Sequence, residues 1–348
     1  MQGKTGQSKA LPVRVTRSMP YIDFPCPAAP PMTQRLTART ALLLTIPPML
    51  WAGNAVVGRL MSTSVPPITF NLLRWMVAFL LLLPLASWVL RRDSPLWAHW
   101  RRLAILGLLG MGCYNALQYM ALKTSSPLNV TLVAASTPIF MLGLGRLFFG
   151  ATISRQQWWG VTLSTGGVLT VLTRGDWGQL LALRPVPGDL LMLLATATWS
   201  LYSWLLTRPP VHQPDPVTLR NDWAAWLLAQ MVPGLIWSGL FSGIEWGLLP
   251  GAHIAWGWPL AVSLAYVALG PSLLAYYCWG HGVAAAGPQV AGFFINLTPL
   301  FAAVLSAAVL GEMPKPFHAM AFALIVGGIV VSSRNRPAVL PPDQKAPG

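Results

Sequence analysis

The chain has 348 residues, 54% of them hydrophobic and only 9% charged, where a soluble domain carries about 25% charged residues. So few charges cannot clothe a water-soluble surface of this size, which excludes soluble enzymes and leaves lipid as the solvent. The formal charge of +14 does not point to nucleic acid either, because the Lys and Arg gather outside the apolar runs, where such residues set membrane orientation.

Residues 1–40 are polar, basic and Pro-rich, and read as a disordered tail. No apolar stretch precedes Cys26, so neither a signal peptide nor a lipid anchor is expected there. Ten apolar spans follow, at 41–61, 67–90, 101–122, 127–149, 157–173, 188–206, 218–243, 258–281, 288–310 and 316–333. Each is long enough, or nearly so, to cross a bilayer core of about 30 Å as a helix. The seventh and eighth are joined by a Gly- and Trp-rich loop around Glu245, and a short tail, 334–348, closes the chain. Trp88, Trp97, Trp158, Trp159, Trp177, Trp246 and Trp256 fall near span ends, where indoles anchor a helix at the interface.

Polar residues inside these spans stand out against their surroundings. The first span holds Trp51 and Asn54, the second Arg74, and the third Tyr114, Asn115 and Gln118. The sixth holds Trp199 and Tyr202, the eighth Tyr276 and Tyr277, and the ninth Asn296. Amides, phenols and indoles around an apolar core suit a small zwitterion with an apolar side chain, and this set is the candidate substrate pathway. Each residue type is equally at home in interhelical hydrogen bonding. Arg74 either attracts a carboxylate or other anionic substrate group, or snorkels about 10 Å to the surface and braces the fold. Pro138 and Pro299 lie mid-span in the fourth and ninth spans. There each removes a backbone donor and frees the carbonyl of Ala134 or Ile295, which makes the pair candidate hinges beside the path.

None of the nine acids falls at the centre of a span, so exchange of protons through a buried carboxylate lacks its residue. Cys26, Cys113 and Cys278 show no paired spacing, and no metal or cofactor site is expected. His281 stands alone, without ligand spacing, and no hydrolase or phosphate-loop motif occurs.

The chain also repeats itself. Pro127, Thr137, Pro138, Phe140, Gly150, Gly166 and Gly167 recur 161 residues later as Pro288, Thr298, Pro299, Phe301, Gly311, Gly327 and Gly328. More weakly, Trp51 lies 148 residues before Trp199. The unit holds five spans, an odd number, so its second copy crosses the membrane upside down. Two inverted five-helix units at 41–175 and 188–333 make an all-α integral membrane protein with a pseudo-two-fold axis in the membrane plane, an architecture used for alternating access. The Lys and Arg favour the side of the termini, 17 against 5, with Arg74 between them, so both termini are expected in the cytoplasm.

The pattern Thr298, Pro299, Phe301, Gly311, Glu312, Gly327, Gly328 resembles that closing each half of EamA-type transporters of the drug/metabolite transporter superfamily. The resemblance covers roughly 41–333. It implies ten helices in two repeats and export of amino acids or other small metabolites across a bacterial inner membrane. The first half departs from the pattern, with Ala151 where that family usually has Glu. Expected partners are a small-molecule substrate and the lipid bilayer, without nucleic acid, the chain acting as a monomer or a dimer. Efflux of drugs or toxic metabolites is the second reading within transport. A non-transporting membrane receptor or scaffold is the alternative from another class.

Overall fold

The computed structural model describes residues 36–334 apart from 126, 174, 177, 179–185, 210–213 and 311–315. Trp177, Gly311, Glu312 and nearly all of both tails lie outside the described residues. Among the described residues ten long helical units run in chain order, beside short helical turns at Ser87–Leu90, Pro95–Ala98 and Val217–Asn221. The long units of the first half are α1 (Ala38–Met61), α2 (Pro67–Ala86), α3 (Trp100–Thr124), α4 (Pro127–Ala134 and Thr137–Phe149) and α5 (Arg155–Leu172). The second half holds α6 (Pro187–Thr207), α7 (Trp223–Leu248), α8 (Trp258–Ala286), α9 (Pro288–Phe294 and Leu297–Leu310) and α10 (Pro316–Ser333). Among the described residues nine are long and apolar enough to cross a membrane. The unit outside that count is α5, whose 18 residues open on Arg155, Gln156 and Gln157.

Local chemistry sets the ends. Thr37 accepts from the Thr40 N–H at 3.1 Å to start α1. Ser154 and Gln157 bond each other's backbone in a capping box that starts α5. Gly150, at φ 62°, closes α4, letting the Ala151 N–H return to the Gly145 carbonyl at 3.0 Å. Ala151 therefore serves the helix end through its backbone, which needs no acid. The seventh span departs from expectation. Asp222 caps two N–H groups and delays the helix start to Trp223, and the helix continues through Glu245 to Leu248. Glu245 is thus a buried helical residue and not a loop acid. Its two oxygens accept from the Ile68 and Thr69 N–H groups at 3.0 and 2.8 Å and from the Thr69 hydroxyl at 2.8 Å. That satisfies the start of α2, which Pro66 cannot cap with a side chain.

The fourth and ninth units are broken in the same way. Two turn residues, Ala135 and Ser136 or Ile295 and Asn296, separate their halves. Pro138 sits in the first turn of its second segment, where the missing N–H has no partner to lose. It therefore starts a helix; it does not kink one. The freed Ala134 carbonyl accepts from the Thr137 hydroxyl at 2.5 Å.

Pairing shows how the halves relate. Helix α1 packs on α8 as α6 packs on α3, so swapping the halves exchanges one pair for the other. Equivalent helices that touch run antiparallel. Along α2, Thr69 meets Glu245 while Asn71 meets Ser238. Along α5, an added Cβ at Gly160 would meet the Gly328 carbonyl at 2.9 Å, and one at Gly167 the Ala321 carbonyl at 2.8 Å. The two halves are therefore inverted copies about an axis in the membrane plane. Helix α1 begins and α10 ends on one face, called here the terminal face; Glu245 lies toward the far face. Outward residues such as Leu147, Leu190 and Ile236 remain exposed, as expected of a surface solvated by lipid.

Candidate functional site

The centre of the molecule is built on two irregular turns. Residues Leu108–Cys113 of α3 and Ala268–Leu274 of α8 are wound as π-helix, with the Tyr114 N–H reaching the Leu109 carbonyl and the Ala275 N–H the Gly270 carbonyl. These bonds span five residues and lie 161 positions apart, so the bulge belongs to the repeat itself. Such bulges widen a helix and loosen its backbone ladder. Each one presents a carbonyl to the opposite half. Tyr276 Oη of α8 donates to the Gly110 carbonyl of α3. Trp51 Nε1 of α1 donates to the Pro271 carbonyl of α8 at 3.2 Å, and Gly110 and Pro271 are themselves 161 residues apart. Pro271 lacks an N–H, and nearby the Val267 carbonyl accepts from the Ser272 hydroxyl at 2.7 Å.

Trp199 of α6 lies at the hub. Its ring centroid is within 4.9 to 5.4 Å of Tyr114, Trp51, Tyr202, Tyr276 and Trp279. Beside this aromatic group lies a polar one. Arg74, wholly buried, donates through Nε to the Ser272 hydroxyl at 2.8 Å. Its Nη1 reaches Asn115 Oδ1 at 2.7 Å, Tyr119 Oη at 2.9 Å and Asn54 Oδ1 at 3.3 Å. Asn54 Nδ2 donates to Gln118 Oε1 at 2.9 Å. The polar and aromatic groups meet where Trp75, next to Arg74 in sequence, packs on Tyr276 at 5.0 Å.

A cavity of about 120 Å³ approaches this centre from the terminal face. Arg220, Trp223 and His281 lie toward its mouth, Gln230 along its wall, and Tyr202 and Tyr276 at its depth. The floor is bonded shut, with Tyr202 Oη donating to Gln230 Oε1 at 3.1 Å and Tyr276 Oη to Gly110. Asp215 ties the mouth, pairing with Arg102 of α3 and with Arg220 at 3.1 Å. A larger hollow of about 410 Å³ is lined by Leu117, Met120, Leu194 and Ile244 among others. Leu194 and Ile244 are exposed, so this hollow faces lipid.

The structure brings Trp51, Asn54, Arg74, Tyr114, Asn115, Gln118, Trp199, Tyr202 and Tyr276 into one buried cluster. Tyr277 is separate. It lines the cavity nearer the mouth, stacked against His281 and Trp223. Asn296 lies elsewhere, in the break of α9, donating to Ser164 Oγ of α5 at 2.5 Å. Tyr119, Ser272, Trp75, Trp279 and Gln230 belong to the centre and were not anticipated. Tyr119 was within reach, one turn after Asn115 on the same face. Ser272 and Gln230 sit in apolar helices without a polar stripe, and nothing local marked them.

Comparison with known proteins agrees with this architecture. The profile of the EamA-like transporter family matches residues 38–173 and 186–334. An uncharacterized transporter of Archaeoglobus fulgidus is 24% identical over 302 residues, covering 86% of this chain and 99% of its own. The aromatic amino acid exporter YddG of Ancylobacter novellus is 26% identical over 245 residues, 70% of this chain and 78% of its own. The uncharacterized inner membrane transporter YedA of Escherichia coli K12 is 24% identical over 81% of this chain and 87% of its own. A crystal structure superposes on 84% of this chain and 96% of its own with a TM-score of 0.60 at 21% identity, which shows a common fold.

Proposed function

The chain belongs to the EamA-like transporter family, and from that premise we propose that it exports small organic metabolites, amino acids with apolar or aromatic side chains foremost, by alternating access. The observation that carries this reading is the cavity from the terminal face, whose floor of Tyr202 and Tyr276 belongs to the aromatic and amide cluster on the axis between the repeats. A pocket of rings with a few aimed polar groups suits a small molecule with one apolar and one polar end. The printed name of the YddG relative points the same way. The bias of Lys and Arg supports a cytoplasmic position for both termini, and the name of the Escherichia coli relative supports a bacterial inner membrane. The cavity then faces the compartment from which an exporter takes its cargo. Binding residues are Trp51, Arg74, Asn115, Trp199, Tyr202 and Tyr276, with Tyr277 on the entry path and the breaks at Pro138 and Pro299 beside the moving segments.

The test is efflux from proteoliposomes. Vesicles loaded with labelled phenylalanine or leucine are expected to lose label faster with the protein than without it, with saturation, and Trp199→Ala to abolish the difference. Failure to move either probe ends the amino acid reading. Efflux of cationic drugs by proton exchange is the weaker alternative. Among the described residues every buried acid is committed elsewhere, Asp215 to arginines and Glu245 to the start of α2.

A further inference from the structure

We infer that Arg74 and Asn115 form a carboxylate-binding subsite just beyond the cavity floor, so that the protein selects cargo bearing a carboxylate over the corresponding amine. The inference rests on the transport reading above and names the chemical group that its central site recognises. A guanidinium is charged at any physiological pH, and Arg74 is 0% exposed. It therefore neither snorkels nor reaches water. Burying such a charge at membrane depth costs about 2.5–3.5 kcal/mol on insertion scales, and a counter-charge is the usual compensation. Here it has none: its partners Ser272, Asn54, Asn115 and Tyr119 are all neutral. The ion pairs of the described acids go to Arg102 and Arg220.

The unspent hydrogen-bonding capacity around the guanidinium is mainly that of donors. Arg74 Nη2, Asn115 Nδ2, Trp75 Nε1 and Trp199 Nε1 are buried without acceptors, while Asn71 Oδ1, one turn before Arg74, and Ser200 Oγ, next to Trp199, are buried without partners too. The four donors belong to one neighbourhood. Asn115 Oδ1 is bonded to Arg74, and the Arg74 guanidinium carbon lies 5.3 Å from the Trp75 ring centroid. Trp75 and Trp199 both pack on Tyr276. A cationic group would bring more donors and a second positive charge, and a neutral acceptor would leave the charge unpaired; a carboxylate brings two acceptor oxygens and the missing charge, and Arg receives it well. Tyr276 stands between this surplus and the cavity, its hydroxyl parked on the Gly110 carbonyl. Rotation of that one side chain joins the two.

The test compares phenylalanine with phenethylamine, and leucine with isoamylamine, as ligands of the detergent-purified full chain. The readout is the concentration that raises the melting temperature, since a ligand of the folded state stabilises it by mass action. Wild type is expected to respond to each amino acid at concentrations at least about tenfold lower than to its amine. Arg74→Gln removes that preference by weakening the acids relative to the amines, and Arg74→Lys keeps part of it. Asn115→Asp, nearly isosteric, supplies the missing charge from within. Its ligand-free melting temperature is expected to hold or rise while the response to amino acids disappears, which a folding defect would not produce. The subsite is overturned if wild type shows no preference for the acid, if Arg74→Gln retains it, or if Asn115→Asp still responds as wild type does. Efflux is read separately. Acid preference without efflux leaves the subsite standing and removes the exporter, whereas efflux without acid preference does the reverse.

Discussion

Arg74 and Asn296 are both polar, wholly buried and set in apolar helices, yet the structure gives them different work. Arg74 joins α2 to α1, α3 and α8 at the axis and keeps a donor free. Asn296 donates its Nδ2 to Ser164 in the packing of α9 on α5, its Oδ1 buried without a partner. Asn296→Ala is therefore expected to lower stability, by about 1–3 kcal/mol for a lost buried bond that strands its partner. It should leave the preference for acids over amines intact, and thermal unfolding with and without phenylalanine checks both halves of that statement. The sequence marked both residues because a polar group at membrane depth is conspicuous anywhere. It could not sort them, since helices apolar on every side do not declare which face meets the axis. Ser272 shows the same limit from the other direction. A small hydroxyl among Leu, Gly and Pro attracts no notice until the fold sets it 2.8 Å from a guanidinium.

At the scale of the helix, the 161-residue repeat was legible because Gly and Pro are constrained by geometry. Gly160, Gly167 and Gly328 let α5 and α10 approach so closely that an added Cβ would lie under 3.0 Å from facing backbone. Gly166 and Gly327 have nothing within 4 Å. Thus Gly167→Val is expected to disrupt the pair and lower the yield of folded protein, while Gly166→Ala is tolerated, as size-exclusion profiles after solubilisation would show. Pro138 and Pro299 lie just after the breaks of α4 and α9, where the sequence suggests mid-span hinges, since a proline reads equally as an interior kink or a first-turn residue. The bulges at Leu108–Cys113 and Ala268–Leu274 left no trace in the residue pattern. Each turn of π-helix holds an extra residue, so deletion probes it better than substitution. Deleting one residue from Leu108–Cys113 would let the turn close as α-helix with Tyr114, Asn115 and Gln118 near their present directions, but it removes the widened turn whose Gly110 carbonyl holds Tyr276. That variant is expected to lose the response to phenylalanine while keeping its helix content by circular dichroism.

For the molecule as a whole, the inverted pairing of α2 with α7 and of α5 with α10 makes the two faces equivalent in plan, and the side chains then make them unequal. The terminal face is entered by a cavity. With Cys26, Cys113 and Cys278 replaced, cysteines introduced for Thr207 and Ala284, which line that cavity, are expected to react with a membrane-impermeant maleimide from the side of the termini and to be shielded by phenylalanine. Reaction from the far side alone would reverse the assigned geometry. On the far face a hollow of about 130 Å³ lies among Ser62, Pro66, Lys123, Leu249 and His253, none of them a residue of the central cluster, and there Glu245 holds the start of α2 by three hydrogen bonds. Seen as a timepiece, the machine does not divide its cycle evenly. On the proposed alternating-access cycle, opening toward the far face would draw that carboxylate off its three donors, and each 1.4 kcal/mol so required would thin the far-open population about tenfold. On the same proposal, unladen protein idles with its doorway toward the termini, and the slow stroke is the one that lifts this latch.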